Sequence, residues 1–476
     1  MLDQHLCIDD AAAIAQGVAQ LSLGPTARAR IAAARDRLKR CIDERRLVYG
    51  LTTGFGPLAN RITDPADIET LQRNLIYHLA SGVGAPLDWA AARATALARL
   101  ASIAQGWSGA SDHAVALLVA LVNSDLAPVI PCKGTVGASG DLTPLSHLAL
   151  ALMGEGRFMD RAGAEVDSAA VFERWRMEPL TLAERDGLAL VNGVSAMTGV
   201  ALLNADVAQR LIDRSEQLQV AHAELLSGRM EAWRPEFGDA RPHPGQRAAI
   251  RSLGDWADGG ARLRRSPAAE RILPEDMTPT TEPAPLQDPY STRCAPQILG
   301  AVRDTARFHR EVVERELNAA SDNPIFIEAA PGALHGGNFM GCHVALASDA
   351  LLNAVMVLAG HAERRIARLC DEKKNGGLPA FLHQGAPGLN SGFMGAQVTS
   401  TALLAEMRAR GGAASAQSLP TNADNQDVVS MGTISARGVA AALEDAARIL
   451  AIEALAVAQG VDLLRAEQPD LKLSRA

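Results

Sequence analysis

The sequence predicts a mainly helical protein, a bundle of long antiparallel helices with a loop-bearing N-terminal domain. Three observations predict it. Of the 476 residues 48% are hydrophobic but only 4% aromatic, with alanine and leucine abundant, which favours close-packed helices over sandwiches or barrels. Apolar residues recur at spacings of three and four over long stretches, and the few stretches that alternate with period two are short. Several of the helical stretches are longer than an ordinary globular helix, and they crowd the second half of the chain.

In chain order, helical texture fills 88–123, opening with "DWAAARATALARLASIAQG", and then 195–230, 296–320, 340–370, 391–412 and 427–466. The alanine-rich faces let helix axes approach closely, as an antiparallel bundle requires. Glycine and proline cluster at 50–57, 131–144 and 376–393, which read as loops. The stretch 231–292, with "RPEFGDARPHPGQ" and "PTTEPAPLQDPY", reads as a long functional loop. A soft boundary near residue 200 separates a loop-bearing domain, 1–200, from a long-helix domain, 201–476.

Bulk properties narrow the function. The formal charge of −8 and the lack of a dense Lys/Arg stripe argue against a nucleic-acid footprint. The opening "MLDQHLCIDD" lacks a charged-then-apolar leader pattern, and no run approaches eighteen uninterrupted apolar residues, so no membrane span is expected. The six cysteines are scattered without CxxC spacing and read as free thiols in a reducing cytoplasm. The eleven histidines include no HExxH, and His335 sits in a glycine turn without partners at zinc spacing, so no metal is expected.

Three short stretches could carry chemistry. "YGLTTGFGPLAN" (49–60) contains a GxGxxA match, but that fingerprint needs a preceding strand and a helix starting within it; Pro57 and "LANRITDP" read as loop instead. "KGTVGASGDLTP" (133–144) is nearly free of bulky side chains, which lets a backbone nitrogen approach a nearby carbonyl. Attack of the Gly140 nitrogen on the Ala138 carbonyl carbon would close a five-membered ring around Ser139. Loss of that water, and of a second from the Ser139 side chain, would leave an exocyclic C=C conjugated with the ring, an electrophile no ordinary side chain supplies. Thr143 then reads as an N-cap and Pro144 as the first residue of a helix, whose positive end would abut the ring. The plainer alternative is a small-residue turn before a helix. "TNADNQDVVSMG" (421–432) is rich in amides, which can hold ligand polar groups or simply cap the following helix.

Together these stretches resemble the aromatic amino acid lyase family, which includes histidine, phenylalanine and tyrosine ammonia-lyases. The residues that carry the resemblance are "YGLTTGFG" (49–56), "GTVGASGDL" (134–142), "LVNGVSAMTG" (190–199), "RPHPGQ" (241–246), "DPYSTRCAPQ" (288–297), "SDNP" (321–324), "LHGGNFMG" (334–341) and "NQDVVSMG" (425–432), in the family's order. The resemblance implies the fumarase/aspartase-like helical architecture. It also implies a 4-methylideneimidazole-5-one (MIO) group self-derived from Ala138, Ser139 and Gly140, with no added cofactor. By the same resemblance Tyr49 is the base for the substrate's β-proton, and Asn192, Tyr290, Phe339 and Gln426 surround the prosthetic group and the amine. Asn323 is carried over with "SDNP" as a substrate-binding residue. Arg293 matches the clamp for the substrate carboxylate, a role that suits its bidentate fork. The family forms homotetramers whose sites draw residues from several subunits; here the chain ends sooner than most members, leaving assembly less defined than chemistry.

Substrate choice is read from "LQRNLIYHLASGVG" (71–84). Histidine-specific members carry Ser-His and phenylalanine-specific members Phe-Leu where this chain has His78-Leu79, which resembles the tyrosine-specific pattern. His78 can hydrogen-bond a phenolic hydroxyl while Leu79 packs on the ring; the alternative is a core histidine between Leu75 and Leu79. "TNADNQD" also departs from the "SANQED" of histidine lyases, so Asn422, Asn425 and Gln426 are expected to be pocket amides. The reading is thus a tyrosine ammonia-lyase. A broad phenylalanine/tyrosine lyase, an MIO-dependent tyrosine aminomutase and, from other classes, a Rossmann oxidoreductase or an inactive helical scaffold are the alternatives.

Overall fold

The computed structural model describes residues 2–266, 286–330, 332–386 and 388–476. Its helices are α1 (Ile8–Ala15), α2 (Pro25–Asp43), α3 (Ile68–Leu79), α4 (Trp89–Ala104), α5 (Asp112–Asn123), α6 (Leu142–Leu152), α7 (Ser168–Trp175), α8 (Asp186–Val191), α9 (Ser195–Leu225), α10 (Pro235–Ala240), α11 (Pro244–Trp256), α12 (Tyr290–Arg293), α13 (Ala295–Leu317), α14 (Cys342–Cys370), α15 (Met394–Arg410) and α16 (Gly432–Glu467). Strands are short and antiparallel: β1 (Val83–Pro86) pairs with β3 (Pro131–Lys133), β2 (Ala127–Pro128) with β4 (Phe158–Met159), β4 with β5 (Glu165–Val166), and β6 (Ile325–Phe326) with β7 (Ala333–Leu334). The long helices expected from the apolar period are present in α9, α13, α14 and α16.

The chain divides into two compact units. One comprises 1–206, 309–349 and 412–440; the other comprises 207–308, 350–411 and 441–476. The first is built on α4, which is buried on nearly every side and packs against α1, α2 and α5. Asp88 starts α4 by accepting from the Ala91 amide (2.9 Å), which satisfies one of the free donors of its first turn. A helix buried all round leaves no solvated face for its two arginines, and both are spent on backbone carbonyls. Arg93 donates to Ile14 and Ala15 at the end of α1 and to Val122, Ser124 and Leu126 around the end of α5, placing a cation where two helices leave carbonyls unpaired. The second unit has its own apolar cluster of Leu225, Leu369, Leu378, Leu382, Ala456, Val457 and Leu464.

Two expectations need correction. The stretch 231–292 is not one irregular loop: α10, α11 and α12 lie in it, with Pro235 and Pro244 at the first helical positions, where a missing N–H is harmless. Residues 267–285 of that stretch lie outside the described residues. Helix α6 begins at Leu142, with Asp141 at the cap position, so Thr143 and Pro144 lie inside its first turn rather than at its boundary. Among the described residues one helix, α14, is long and apolar enough to cross a membrane by length and composition, and 61% of its most apolar window is buried within the protein.

"SDNP" proves to be a packing element of the first unit. Asp322 forms a two-pronged ion pair with Arg185 (2.7 and 3.0 Å), both side chains fully buried, and Arg185 also donates to the Ser108 and Asn323 carbonyls. Removing one partner strands the other charge in the interior. Asp322→Ala is therefore expected to lower unfolding stability by about 3–5 kcal/mol, read from the urea midpoint; a loss under about 1 kcal/mol would show the pair to be dispensable.

Candidate active site

Strand β3 delivers the chain into the loop 134–141, and α6 takes it away. Within the loop Gly137, Ser139 and Gly140 all have positive φ (77°, 55° and 81°), a conformation that favours glycine and is sparsely populated by serine. The loop is clasped by main chain from two directions. On one side the Asp141 amide donates to the Gly193 carbonyl (2.7 Å), and a Cβ on Gly140 would stand 2.1 Å from that same oxygen. On the other the Met431 amide donates to the Val136 carbonyl (2.8 Å), and a Cβ on Gly137 would stand 2.2 Å from Ser430 Oγ. Neither glycine can be replaced without moving backbone or a packed neighbour.

Beneath the loop the Asp141 carboxylate is fully buried. It accepts from the Met197 amide (2.7 Å) and from the Thr433 hydroxyl, tying the start of α6 to α9 and α16. Burial pushes its pKa up to about 6 against the opposing pull of the Met197 and Thr433 donors. Arg99, also fully buried, donates to the Asn192 carbonyl and to the Ser321 carbonyl, fixing the turn ahead of α9; burial lowers its pKa to about 10. Asn192 is thereby aimed so that its Nδ2 donates to the Ser139 carbonyl (3.4 Å). Gln426 Nε2 donates to Ser139 Oγ (3.0 Å), and Thr135 Oγ1 to the Gly140 carbonyl (3.3 Å). A kinked backbone, glycine where no Cβ fits, and donors on the Ser139 and Gly140 carbonyls all fit a ring closed between the Gly140 nitrogen and the Ala138 carbonyl.

Ser139 opens onto a cavity of ≈560 Å³ lined by Tyr49, Phe55, Leu71, Asn74, Leu75, His78, Leu79, Leu142, Leu188, Asn192, Thr421, Asn422 and Gln426, together with the 54–58 turn. Tyr49 is half-buried; its phenolic oxygen accepts from the Gly56 amide (2.9 Å) and its ring meets Phe55 edge-on. Its own amide donates to His335 Nε2 (3.1 Å), so that nitrogen carries no proton; burial first, then Arg185, lowers the His335 pKa. His78 is no core histidine: it is exposed on the cavity face of α3. Its Nδ1 lies 2.9 Å from the Asn74 carbonyl, which can only accept, so Nδ1 holds the proton and Nε2 of the neutral ring is left as an acceptor. Asn422, Ala423 and Asp424 all have positive φ (57°, 53° and 58°), and the Thr421 and Gln426 backbones bond each other across this tip, presenting the Asn422 and Gln426 amides to the cavity.

The other candidates lie elsewhere. Asn425 stands beside Gly56 rather than in the cavity wall. Asn323 is buried, with its Oδ1 accepting from the Gly336 amide (2.7 Å), so it shapes the loop that holds His335. Phe339 is half-buried in the turn before α14. Tyr290 and Arg293 belong to the second unit, on α12, with the Arg293 guanidinium 4.6 Å above the Tyr290 ring. The GxGxxA stretch is a single 3₁₀ turn, Gly56–Leu58, without the strand and helix a dinucleotide site needs. Leu71, Asn74 and Leu75 were missed, although with His78 they follow the i, i+3, i+4, i+7 spacing of one helix face and could have been read from it.

Comparison with known proteins gives one answer. The model of the family described as aromatic amino acid lyase matches residues 6–476. The chain is 57% identical over 463 residues to the tyrosine ammonia-lyase of Cereibacter sphaeroides, covering 97% of this chain and 88% of that one. It is 37% identical to the histidine ammonia-lyase of Gloeobacter violaceus, covering 96% of this chain and 86% of the relative. The tyrosine aminomutase structure from Streptomyces globisporus superposes with a TM-score of 0.92 at 36% identity, covering 97% of this chain and 88% of that one. With the clasped Ala-Ser-Gly loop and the family match over nearly the whole length, this chain belongs to the aromatic amino acid lyase family.

Proposed function

We propose that the protein is a tyrosine ammonia-lyase, releasing trans-4-coumarate and ammonia from L-tyrosine. The observation that carries this reading is the pairing of His78-Leu79 with Tyr49 and Ser139 in one cavity wall, in a chain 57% identical to a tyrosine ammonia-lyase. The MIO ring at 138–140 supplies, once closed, an electrophile for the substrate's amino group. Asn192, Gln426 and Thr135 hold the loop in place for it. Tyr49 takes the β-proton; the C–H electron pair forms the new double bond, and the C–N pair leaves with nitrogen. His78 Nε2 accepts from the phenolic hydroxyl, and Leu79 packs against the ring. The Arg293 fork takes the carboxylate, and Tyr290 and Phe339 stand by the amine. Tyr290 is 68% exposed in the single chain, which suits a homotetramer in which neighbouring subunits complete each pocket. The six cysteines are unpaired, which suits the cytoplasm.

The test is ultraviolet detection of product from tyrosine, phenylalanine and histidine offered separately at alkaline pH. 4-Coumarate from tyrosine is expected; cinnamate or urocanate as the main product would overturn the pocket reading while keeping a lyase. His78→Phe is expected to lower the tyrosine/phenylalanine preference by at least about 10²-fold, because a site built around a hydroxyl discriminates strongly against its absence. Unchanged selectivity would remove His78 from the pocket. The aminomutase alternative is favoured by the Streptomyces globisporus neighbour, and β-tyrosine among the products would identify it.

A further inference from the structure

In the second unit the turn that carries Tyr290 and Arg293 is gripped by buried side chains at consecutive carbonyls. His361 of α14 lies with Nε2 2.8 Å from the Ser291 carbonyl, and Trp233 Nε1 donates to the Thr292 carbonyl (3.0 Å). Both side chains are buried, and Arg293 itself donates from Nε to the Asp288 carbonyl (2.9 Å), closing the turn on its own backbone. A carbonyl only accepts, so His361 Nε2 carries a proton. Its other nitrogen, Nδ1, lies 2.9 Å from Arg365 Nη1, which only donates, so Nδ1 carries none. The two contacts thus agree on a single neutral tautomer. Burial first, and the neighbouring Arg365 charge second, lower the His361 pKa to about 3, so the ring stays neutral wherever the enzyme is assayed.

Arg365 is fixed in turn. It is fully buried and forks onto Glu453, with Nη2 2.7 Å from Oε2 and Nε on Oε1, while Ser215 Oγ and Gln219 Oε1 take its remaining protons. A buried polar chain of this kind is costly unless complete, and it runs from Glu453 through Arg365 and His361 to a main-chain oxygen. That oxygen sits one residue after Tyr290 and two before Arg293.

We infer that His361 is a positioning residue for the Tyr290–Arg293 turn, with Arg365 and Glu453 selecting the tautomer in which it acts. This rests on the reading that Arg293 holds the substrate carboxylate. The effect must therefore depend on that carboxylate, whereas a merely structural role would weaken every ligand alike.

The test compares competitive inhibition by 4-coumarate, which has the carboxylate, and by tyramine, which lacks it, in the full-length enzyme. His361→Phe keeps a ring but removes the donor. It is expected to raise the 4-coumarate inhibition constant and the KM for tyrosine about tenfold, short of the ~10²-fold that a misplacement of about 1 Å can cost, with tyramine unchanged. His361→Gln, which offers both a donor and an acceptor, is expected to restore the parent values. Should His361→Phe fail to fold, His361→Met makes the same comparison with a flexible side chain. Equal weakening of both inhibitors, or of neither, overturns the inference. Arg293→Gln is the control: if it too fails to separate the two inhibitors, the carboxylate role of Arg293 falls first and the inference with it.

Discussion

Ser139→Ala is expected to leave a folded protein that turns over tyrosine at least about 10³-fold more slowly, the scale on which loss of the reacting centre itself is felt. The side chain removed is small, and it makes one hydrogen bond, from Gln426 Nε2. The loop stays clasped through Gly193 and Met431, contacts in which Ser139 has no part. Intact mass separates the chemistry from the fold. The parent is expected to be lighter than its sequence mass by two waters, one from ring closure and one from the serine side chain. The variant can lose one at most, because alanine has no hydroxyl to shed. A parent at full sequence mass that still makes 4-coumarate would end the ring assignment.

Tyr49→Phe is the second large effect. It keeps the aromatic face against Phe55 but removes the phenolic oxygen, which accepts from the Gly56 amide. A general base contributes roughly 10²–10⁴-fold, so kcat is expected to fall by that factor with KM changed far less. The remaining Gly56 amide faces a pocket, so the fold is expected to tolerate the change. A tyrosine must lose its phenolic proton before it can act as a base, so the rate is expected to climb above neutrality. A flat profile between about pH 6 and 10, or a Tyr49→Phe variant with parental kcat, would take Tyr49 out of the chemistry.

Much of this was legible in the sequence, for identifiable reasons. The long helices are visible because their apolar residues repeat with the helical period, and α9, α13, α14 and α16 lie close to where that period puts them. The reactive loop is visible because Gly-Ala-Ser-Gly is an unusual loss of side chains. What was hidden depended on pairing across the chain. Nothing local says that Gly140 and Gly193 touch, or that Asp141 is held by Met197 and Thr433. Helices α10 and α11 were obscured because their prolines look like breakers until they are seen at first helical positions, where they serve as starters. The left-handed run at Asn422, Ala423 and Asp424 leaves only a faint mark, because asparagine and aspartate visit that region more readily than other side chains but alanine does not. Tyr290 and Arg293 were named by their motif, yet their setting on a turn gripped by Trp233 and His361 required the fold.

The clasp around the loop has a consequence for how such a protein can change over time. Gly140 rests on the Gly193 carbonyl, and Gly193 rests in turn on the Ser321 carbonyl, which a Cβ would approach to 2.2 Å. The part of the molecule that must be most accurately shaped is therefore seated on main chain, which is the same whatever side chains surround it. His78, Leu79 and Asn422, by contrast, reach the cavity from α3 and from a separate turn and take no part in that seat. Those three positions can thus be rewritten for a different amino acid without disturbing the seat, whereas Asn192 and Gln426, which line the cavity and also bond the loop, tie its shape to the pocket.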